Sequence, residues 1–451
     1  MKHYNSYIKW LYPGLKVKRW LFLALIGIFI GSWGLALIFE ARWWTFLFFV
    51  ASFLEEQYLS YTSVIIVGVF FVASGLLLMA FSLKKGINSI VNVIVPNNET
   101  KLVEVIYQKR QLKRGPRIVT LGGGTGLAVL LRGLKNYTSN ITAIVTVTDD
   151  GGCSGRLRGE LGIQPPGDLR NNIIALADKE SLLEEMLNYR FTQGEGLAGR
   201  NLGNLLIAAM SEITGDINRS IQELSKVLAV RGLVLPVTLN NVTLKAEMTD
   251  GAIVHGETDI VKSNKKIKRI SVVPEGCEPV KEAIQAINEA DAIILGPGSL
   301  YTSVLPNLLI KGIAQAINKA KAPVYYVCNV MTQPGETDFY TVSEHLKAIK
   351  DHVPMLCIDK IFVNTGRIPK NLIKTYQEKG AHPVILDDKG FKELGKKLIR
   401  ADLINTTNLV RHDSEKLSKI IMREILKDIP ATERIKILDL ILGERYKDLV
   451  G

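Results

Sequence analysis

Two long uncharged stretches near the N-terminus constrain the fold of this chain more than any other feature. The stretch from Trp20 to Phe39 reads WLFLALIGIFIGSWGLALIF. Twenty helical residues rise about 30 Å, which matches the hydrocarbon core of a bilayer. Tyr61 to Leu83 repeats the pattern, and a signal peptide would have a shorter apolar stretch with a cleavage site. We therefore expect a membrane hairpin in residues 1–83, with helices at about 20–39 and 61–83.

The charges around these stretches predict the orientation of the hairpin. Basic residues precede the first stretch and follow the second, whereas the loop between them is mixed. The outer basic residues are Lys2, Lys9, Lys16, Lys18, Arg19, Lys84 and Lys85, and the loop holds Glu40, Arg42, Glu55 and Glu56. The positive-inside rule then places both termini and the main domain in the cytoplasm, at the cell membrane. The loop segment WWTFLFFVASFL is expected at the outer interface rather than as a third span.

Most of the formal net charge of +12 lies in the membrane-flanking part. Residues 1–117 hold 14 Lys and Arg against 5 Asp and Glu, and the remainder holds 42 against 39. Nucleic acid is therefore not an expected partner. Residues 84–115 form a basic juxtamembrane linker that either attracts anionic lipid or is simply solvated. The four cysteines are widely spaced and the histidines scattered, which favours reduced thiols and gives no zinc or iron motif.

From Arg117 the pattern changes to that of an α/β domain, expected over residues 116–400. A first strand, a glycine cluster and a helix are predicted by RIVTLGGGTGLAVLLRGLK, and a second strand by ITAIVTVTDD. Helical patterns follow to about Val230 and are expected to form an insertion. Asp250-Gly251 between alternating runs predicts a hairpin. Further strands of a doubly wound, Rossmann-like parallel sheet are predicted by the segments AIILGPGS, APVYYVCNV, DKIFVN and HPVILD. Residues 401–451 read as a C-terminal helical segment, with SEKLSKIIMREILKDI its clearest amphipathic pattern.

Ligands of an open parallel sheet sit beyond the carboxyl ends of its strands, and the loops there are unusual in composition. Gly122 to Gly126 follows the first strand, where glycines let the backbone approach a phosphate at a helix start, although such a turn also serves tight packing. It lacks the lysine of a P-loop. Asp149-Asp150 ends the second strand and suits ribose hydroxyls or hydrated Mg²⁺. Arg156 and Arg158 follow a glycine nest there and supply charge for phosphate, unless this is a solvated turn.

Two further loops extend this pattern. PPGDLRNN continues the second loop, with Asp168 expected as a helix N-cap and Arg170 and Asn171 facing the ligand. GPGSLYTS, from Gly296 to Ser303, repeats the combination of strand, glycine turn and hydroxyls. NVMTQPGET, from Asn329 to Thr337, offers amide, hydroxyl and carboxylate groups that suit uracil, sugar or ribose. No nucleophile elbow is present, so the sequence favours binding over covalent catalysis.

These motifs, together with NLGN, strongly resemble those of the gluconeogenesis-factor (YvcK-like) family, which is related to the phospholactate transferase CofD. The resemblance covers about residues 116–400. It implies a Rossmann-like domain that binds UDP-sugars such as UDP-N-acetylglucosamine and supports cell-wall synthesis and cell shape during gluconeogenic growth. The ligand contacts it implies are Gly123, Gly124, Thr125, Asp149, Asp150, Ser154, Arg156, Asn201, Asn204, Gly298, Ser299 and Asn329.

The chain departs from the family pattern in two ways, and three functions compete. Cys153 stands where a small residue such as serine is expected, and the membrane hairpin indicates a longer, anchored subgroup. The first function is a nucleotide-sugar-binding regulator that acts through a protein partner, such as a cell-wall synthesis protein. The second is a CofD-like transferase in which Asp149, Asp150 and Mg²⁺ hold a diphosphate. A scaffold without a ligand is the third. Self-association stays open.

Overall fold

The computed structural model describes residues 18–39, 61–94, 110–178, 181–387, 397–407 and 409–428. The chain forms two compact units, residues 1–109 and 110–451. Several expectations lie outside the described residues: the basic residues before Lys18, the aromatic loop segment between the apolar helices, and residues 429–451.

The first unit contains two helices that are long and apolar enough to cross a membrane. They are α1 (Lys18–Ile38) and α2 (Tyr61–Ile94). The apolar windows within them have mean hydropathies of 2.4 and 2.5. The second helix continues beyond the predicted stretch, through Lys84 and Lys85. Large apolar side chains such as Phe22 and Phe70 point away from the pair, 65% and 67% exposed, as expected for a surface that faces lipid.

Glycines allow these two helices to pack backbone against backbone. A Cβ placed on Gly75 would lie 2.6 Å from the carbonyl oxygen of Gly27, and one on Gly34 would lie 2.6 Å from that of Gly68. Small residues at such crossings let apolar helices approach closely where no hydrophobic force drives them together. The rings of Trp33 and Phe71 stack with their centroids 5.5 Å apart.

The second unit is an α/β domain with a long helical insertion and a small antiparallel sheet. Its first half consists of β1 (Ile118–Gly122), α3 (Gly124–Leu134), β2 (Ile141–Val145), α4 (Gly152–Leu161), α5 (Gly167–Leu176), α6 (Ser181–Asn188), α7 (Leu202–Thr214), α8 (Ile217–Val227), β3 (Leu233–Pro236), β4 (Thr243–Met248), β5 (Ile253–His255), α9 (Glu257–Lys262) and β6 (Ile267–Val273).

The second half completes the large sheet and ends in a helix that packs against α3. It consists of α10 (Lys281–Glu289), β7 (Ala292–Leu295), a π-helical turn (Leu300–Val304), α11 (Leu305–Leu309), α12 (Ile313–Lys319), β8 (Val324–Val327), α13 (Val342–His352), β9 (Lys360–Asn364), α14 (Lys370–Gln377), β10 (Lys397–Ala401), β11 (Ile404–Asn405), β12 (Arg411–His412) and α15 (Ser414–Asp428).

Seven parallel strands form the large sheet, in the order β10-β9-β8-β7-β1-β2-β3. Every residue of β1, β7 and β8 is buried, because helices cover both faces of the sheet. The doubly wound, Rossmann-like sheet predicted from the sequence is confirmed. The Asp250-Gly251 hairpin is also present, as the turn between β4 and β5. Strands β5, β4 and β6 form the small sheet.

One predicted strand is wrong. HPVILD forms only an isolated bridge, between Pro383 and Met331. Proline has no N–H to donate to a ladder, so it fits poorly in a continuous strand. The edge of the sheet is formed instead by β10, whose sequence KLIRA contains Lys397 and Arg400 and which pairs with β9.

Candidate ligand-binding site

The strand order places a switch point between β1 and β7. The chain runs outward from β1 through β2 to β3, and later outward in the opposite direction from β7 to β10. Outside the carboxyl ends of the strands at such a point, diverging connections leave a crevice in which open α/β sheets bind ligands. The glycine loop after β1 and the Gly296–Ser303 loop after β7 therefore face each other.

Close backbone contacts join these two loops. A Cβ on Gly126 would lie 2.9 Å from the carbonyl oxygen of Pro297, and one on Gly298 would lie 3.3 Å from that of Gly123. Gly124 has a φ of +63°, in the left-handed region that favours glycine. Three predicted contacts, Gly123, Gly124 and Gly298, are thus brought together. Thr125 follows in the first turn of α3 and is exposed.

Three helices begin near this crevice with N-cap residues that make no side-chain capping bond. The N-cap residues of α3, α4 and α5 are Gly123, Gly151 and Pro166, and none of them makes a side-chain capping bond. The first N–H groups of a helix have no partner within it, and the helix dipole makes its N-terminus electropositive. The edge of the sheet beside β1 and β2 thus favours an anionic group.

Asp168 does not cap its own helix, contrary to the expectation from the sequence. It lies in the first turn of α5, whose N-cap is Pro166. Its carboxylate instead accepts a hydrogen bond from the backbone of Gly124 in the glycine loop. A Cβ on Gly123 would lie 2.5 Å from Asp168 Oδ2, so this glycine also makes room for the carboxylate. Asp168 is therefore a residue of the crevice.

The adjacent aspartates after β2 have different surroundings. Asp149 Oδ1 accepts a hydrogen bond of 2.9 Å from the Gly151 N–H, and its Oδ2 faces Gly167 at the start of α5. Asp150 Oδ1 accepts bonds from the N–H and the hydroxyl of Thr258, at 2.9 and 2.7 Å. Asp150 thereby fixes the start of α9, while Asp149 stays at the centre of the crevice.

A polar network links the helical insertion to this centre. Asn204 Nδ2 donates to Ser154 Oγ at 3.4 Å, and Asn201 Oδ1 accepts from the Asn204 N–H at 3.0 Å. Arg170 Nη1 donates to Asn204 Oδ1 at 2.8 Å. Three of the predicted contacts, Ser154, Asn201 and Asn204, therefore form one cluster, and Arg170 joins it. The Sγ of Cys153 accepts a hydrogen bond from the Asn201 N–H at 3.3 Å, so the cysteine is compatible with this loop.

Arg156 lies at the rim of the site. Its Nη2 donates to the carbonyl oxygen of Gly199 at 3.2 Å, on the surface loop before α7. Arg158 lies deeper, where its Nη2 donates to Thr243 Oγ1 at 2.8 Å and its charge interacts with Asp150 and Asp149. Burial lowers the pKa of the Arg158 guanidinium.

The loops after β7 and β8 meet on the other side of the switch point. Gln333 Nε2 donates to Ser299 Oγ at 2.5 Å, and Asn329 Nδ2 donates to Gln333 Oε1 at 3.3 Å. The predicted contacts Ser299 and Asn329 are thus joined through Gln333, which was not singled out from the sequence. Its place in the NVMTQPGET motif was the available signal.

Sequence reasoning did not identify Glu257, the first residue of α9. Burial raises its pKa to about 9, and the charges of Asp149 and Asp168 act in the same direction. Burial likewise raises the pKa of Asp168 to about 6 and of Glu336 to about 7. Burial also raises the pKa of Asp149. Nothing local in the sequence marks Glu257, because α9 reaches the crevice only through the fold of the small sheet.

These carboxylates bear on the Mg²⁺ expected from the sequence. Across the described ranges, no group of three or more His, Cys, Asp or Glu side chains has an arrangement that could hold a metal ion. Magnesium in nucleotide sites is usually held by one or two carboxylates, with phosphate oxygens and water as its other ligands. Asp149 and Asp168 fit that limited role only together with the phosphates of a ligand.

Comparison with known proteins agrees with this geometry. The sequence model of the family described as 2-phospho-L-lactate transferase CofD matches residues 118–404. The gluconeogenesis factor of Bacillus subtilis is 49% identical over 314 residues, which cover 69% of this chain and 99% of that protein. The chain belongs to the gluconeogenesis-factor family. A crystal structure of a upf0052 family protein from Bacillus halodurans is 50% identical, with a TM-score of 0.66, and covers 68% of this chain and 99% of that one.

The family members that this chain resembles differ in length. A relative from Nostoc sp. is 46% identical over 93% of this chain and 92% of its own length. One from Clostridium acetobutylicum is 42% identical over 98% of this chain and 97% of its own length. The alignments with these two relatives include most of the first unit. The Bacillus subtilis protein is shorter, and nearly all of it aligns with 69% of this chain. The apolar N-terminal unit is therefore shared by some relatives.

Proposed function

We propose that this chain is a nucleotide-sugar-binding regulatory protein whose ligand resembles UDP-N-acetylglucosamine. The observation that carries the proposal is the convergence, at the switch point of the sheet, of two glycine loops and three helix starts whose N-cap residues make no side-chain capping bond. Such an edge suits the diphosphate, and the amide and hydroxyl groups of Asn329, Gln333 and Ser299 suit the base or the sugar.

Charge determines how the diphosphate would be held. The carboxylates of Asp149 and Asp168 already accept backbone N–H bonds at the helix starts. A second anion there would be repelled unless a cation or an arginine lies between them. Arg158 and Arg170 are the nearby guanidinium groups, and Mg²⁺ bridging the phosphates to the two aspartates would supply further positive charge. Affinity should therefore fall when Mg²⁺ is chelated.

The wider role follows from the family and from the apolar helices. We propose that α1 and α2 span the cell membrane, with both termini and the second unit in the cytoplasm, where nucleotide sugars are found. A ligand-bound state read by cell-wall synthesis proteins would then support wall synthesis and cell shape during gluconeogenic growth. Nucleic acid is not a proposed partner, and self-association is one way in which the signal could be transmitted.

A CofD-like transferase is the second candidate. The family description names a phospholactate transferase, and the same carboxylates with Mg²⁺ could hold a nucleotide diphosphate donor while a phosphate-linked group moves to an acceptor. Product analysis separates the two functions. The full-length protein, purified in detergent, is incubated with UDP-N-acetylglucosamine and Mg²⁺. Reversible binding without turnover supports the regulator, and release of UDP or UMP would contradict it.

Replacing Arg156 tests the phosphate side of the site. In isothermal titration of the full-length protein, Arg156→Ala should weaken UDP-N-acetylglucosamine binding by about 1–3 kcal/mol, because a charge-assisted bond to phosphate is lost. Arg156 is exposed and bonds only to a loop carbonyl, so the fold should persist. The matched control is Arg423→Ala, which removes an exposed arginine from α15. Equal affinities for the two variants would remove Arg156 from the site.

A further inference from the structure

The two apolar helices of the first unit run antiparallel, so that the start of α1 lies beside the later part of α2. The ring of Trp20 in α1 packs edge-on against that of Phe81 in α2, with the centroids 6.1 Å apart. A Cβ on Gly86 would lie 3.5 Å from the Cβ of Trp20. Gly27 and Gly75 meet further along the same pair. The residues that flank both apolar stretches are therefore neighbours in space at this end.

Three exposed basic side chains come together at this end of the helix pair. The guanidinium carbon of Arg19 lies 4.8 Å from the centre of the Trp20 ring. Lys84 and Lys85 lie one helical turn after Phe81. Lys85 Nζ lies 5.9 Å from the centre of the Phe81 ring. Because the two rings pack against each other, cations from both helices are held around one aromatic pair.

These cations have no carboxylate beside them on either helix, and they border apolar surface. Residues 18–39 and 61–94, the described part of the first unit, contain no Asp or Glu. Like charges that are close together repel one another and favour an anion from outside. The apolar side chains of Leu77, Phe81 and Leu83 on α2 are exposed. The surface thus combines a basic cluster with an adjoining apolar face.

A phospholipid has both of the properties that this surface selects. Its phosphate accepts hydrogen bonds from guanidinium and ammonium groups, and its acyl chains cover apolar helix surface. A free phosphate would satisfy only the charges. The trimethylammonium group of phosphatidylcholine would be repelled by the cluster, so an anionic headgroup is favoured. The depth also fits, since the 20 residues from Arg19 to Ile38 rise about 30 Å and place Arg19 where the hydrocarbon ends.

We propose that this end of the helix pair binds the headgroup of an anionic phospholipid such as phosphatidylglycerol. The site consists of three charges around one aromatic pair: Arg19, Lys84, Lys85, Trp20 and Phe81. The phosphate bridges α1 and α2 on the cytoplasmic side, and the acyl chains lie along the exposed apolar face of α2. This lipid site requires the membrane span proposed for α1 and α2, and it does not depend on the nucleotide-sugar site.

Native mass spectrometry of the full-length protein tests the lipid site. The protein, purified in detergent, is titrated with dioleoyl-phosphatidylglycerol and, in parallel, with dioleoyl-phosphatidylcholine. We expect the first phosphatidylglycerol to bind about tenfold or more tightly, because each basic residue near an anionic lipid contributes roughly a factor of five. Replacing Lys84 and Lys85 together by Gln should remove most of this preference, and Arg19→Gln alone should reduce it. Replacing both lysines by Arg keeps the charges and should keep the preference.

The matched control replaces another adjacent pair of exposed basic residues, Lys113 and Arg114, by Gln. This variant should keep the preference for phosphatidylglycerol. Equal losses in the two double variants would indicate diffuse attraction and overturn the site, and so would an unchanged preference in Arg19→Gln. Loss of the preference in the double Arg variant would contradict recognition by charge. Displacement of phosphatidylglycerol by inorganic phosphate would contradict a lipid as the occupant.

Flotation with vesicles separates the lipid site from the membrane span that it requires. The full-length protein, reconstituted into vesicles of pure phosphatidylcholine, should float with them, because apolar helices insert whatever the headgroup. Flotation without a preference for phosphatidylglycerol in the titration would overturn the lipid site alone. A protein that does not float with any vesicle would overturn the membrane span, and the lipid site with it.

Discussion

The two ends of the seven-stranded sheet bury carboxyl groups in opposite ways. At the amino end, Lys360 of β9 bonds to Glu424 at 3.1 Å and to Asp428 at 2.7 Å, and the Tyr325 hydroxyl also donates to Asp428. Burial favours protonation of Glu424, but hydrogen bonds from Lys427 and Lys360 outweigh it and hold its pKa below the ordinary value. At the carboxyl end, Asp149, Asp168 and Glu257 have raised pKa values and no lysine partner.

This difference distinguishes a structural cluster from a binding site. The amino-end carboxylates are neutralised within the fold, so they need nothing from outside. The carboxyl-end groups repel one another, and the backbone hydrogen bonds and arginine charges beside Asp149 and Asp168 offset their burial only in part. Such an arrangement is common where function reduces stability. The two clusters should therefore respond to mutation with opposite signs.

The largest expected effect is at the amino end. Lys360→Met should lower the free energy of unfolding by about 3–5 kcal/mol, because it leaves buried carboxylates without their cation. Urea unfolding of the full-length protein, followed by far-UV circular dichroism, measures the loss. Lys397→Met on the exposed side of β10 is the control. A loss for Lys360→Met no larger than that of the control would show that this cluster is not a structural ion pair.

At the carboxyl end, removing an acid should stabilise the protein. The folded pKa of Glu257, about 9, is raised above its ordinary value of 4.5. Proton binding by Glu257 therefore contributes fully to the free energy of unfolding below about pH 4.5, and this contribution is lost as the pH rises through about 9. Between pH 5 and pH 8, Glu257→Gln should gain about 1–3 kcal/mol relative to the parent, because glutamine does not titrate. A constant difference in unfolding free energy over this range would contradict the proposed repulsion.

The smallest expected effect concerns a histidine whose contribution to stability falls as the pH falls, opposite to that of Glu257. His352 Nε2 accepts the Ile270 N–H at 2.9 Å, and burial lowers the pKa of His352. The hydrogen bond to neutral His352 contributes to the free energy of unfolding above about pH 6.5. This contribution is lost as the pH falls, since the protonated ring cannot accept that bond. Unfolding free energy should fall by about 1 kcal/mol between pH 7 and pH 5 from this group. His352→Gln, whose amide oxygen still accepts, should lack that component, and an identical pH dependence in the variant would contradict the assignment.

Sequence patterns were informative wherever the determinants are local. The strands β1, β2, β7, β8 and β9 were predicted, together with the loops after the first four, because buried parallel strands are apolar runs that end in glycine or polar turns. Asp168 was misassigned as a cap because its partner, Gly124, is distant in sequence. Glu257 was not identified because the small sheet carries it to the crevice. HPVILD was mistaken for a strand because its apolar content outweighed the missing N–H of Pro383.

The most direct test of the central claim is hydrogen exchange of the full-length protein with and without saturating UDP-N-acetylglucosamine and Mg²⁺. Ligand binding at the switch point predicts slower exchange in the peptides that contain Gly122–Gly126, Asp149–Arg158 and Gly296–Ser303, with unchanged exchange around Lys360 at the other end of the sheet. Protection confined to other parts of the chain, or no protection at saturating ligand, would contradict the account.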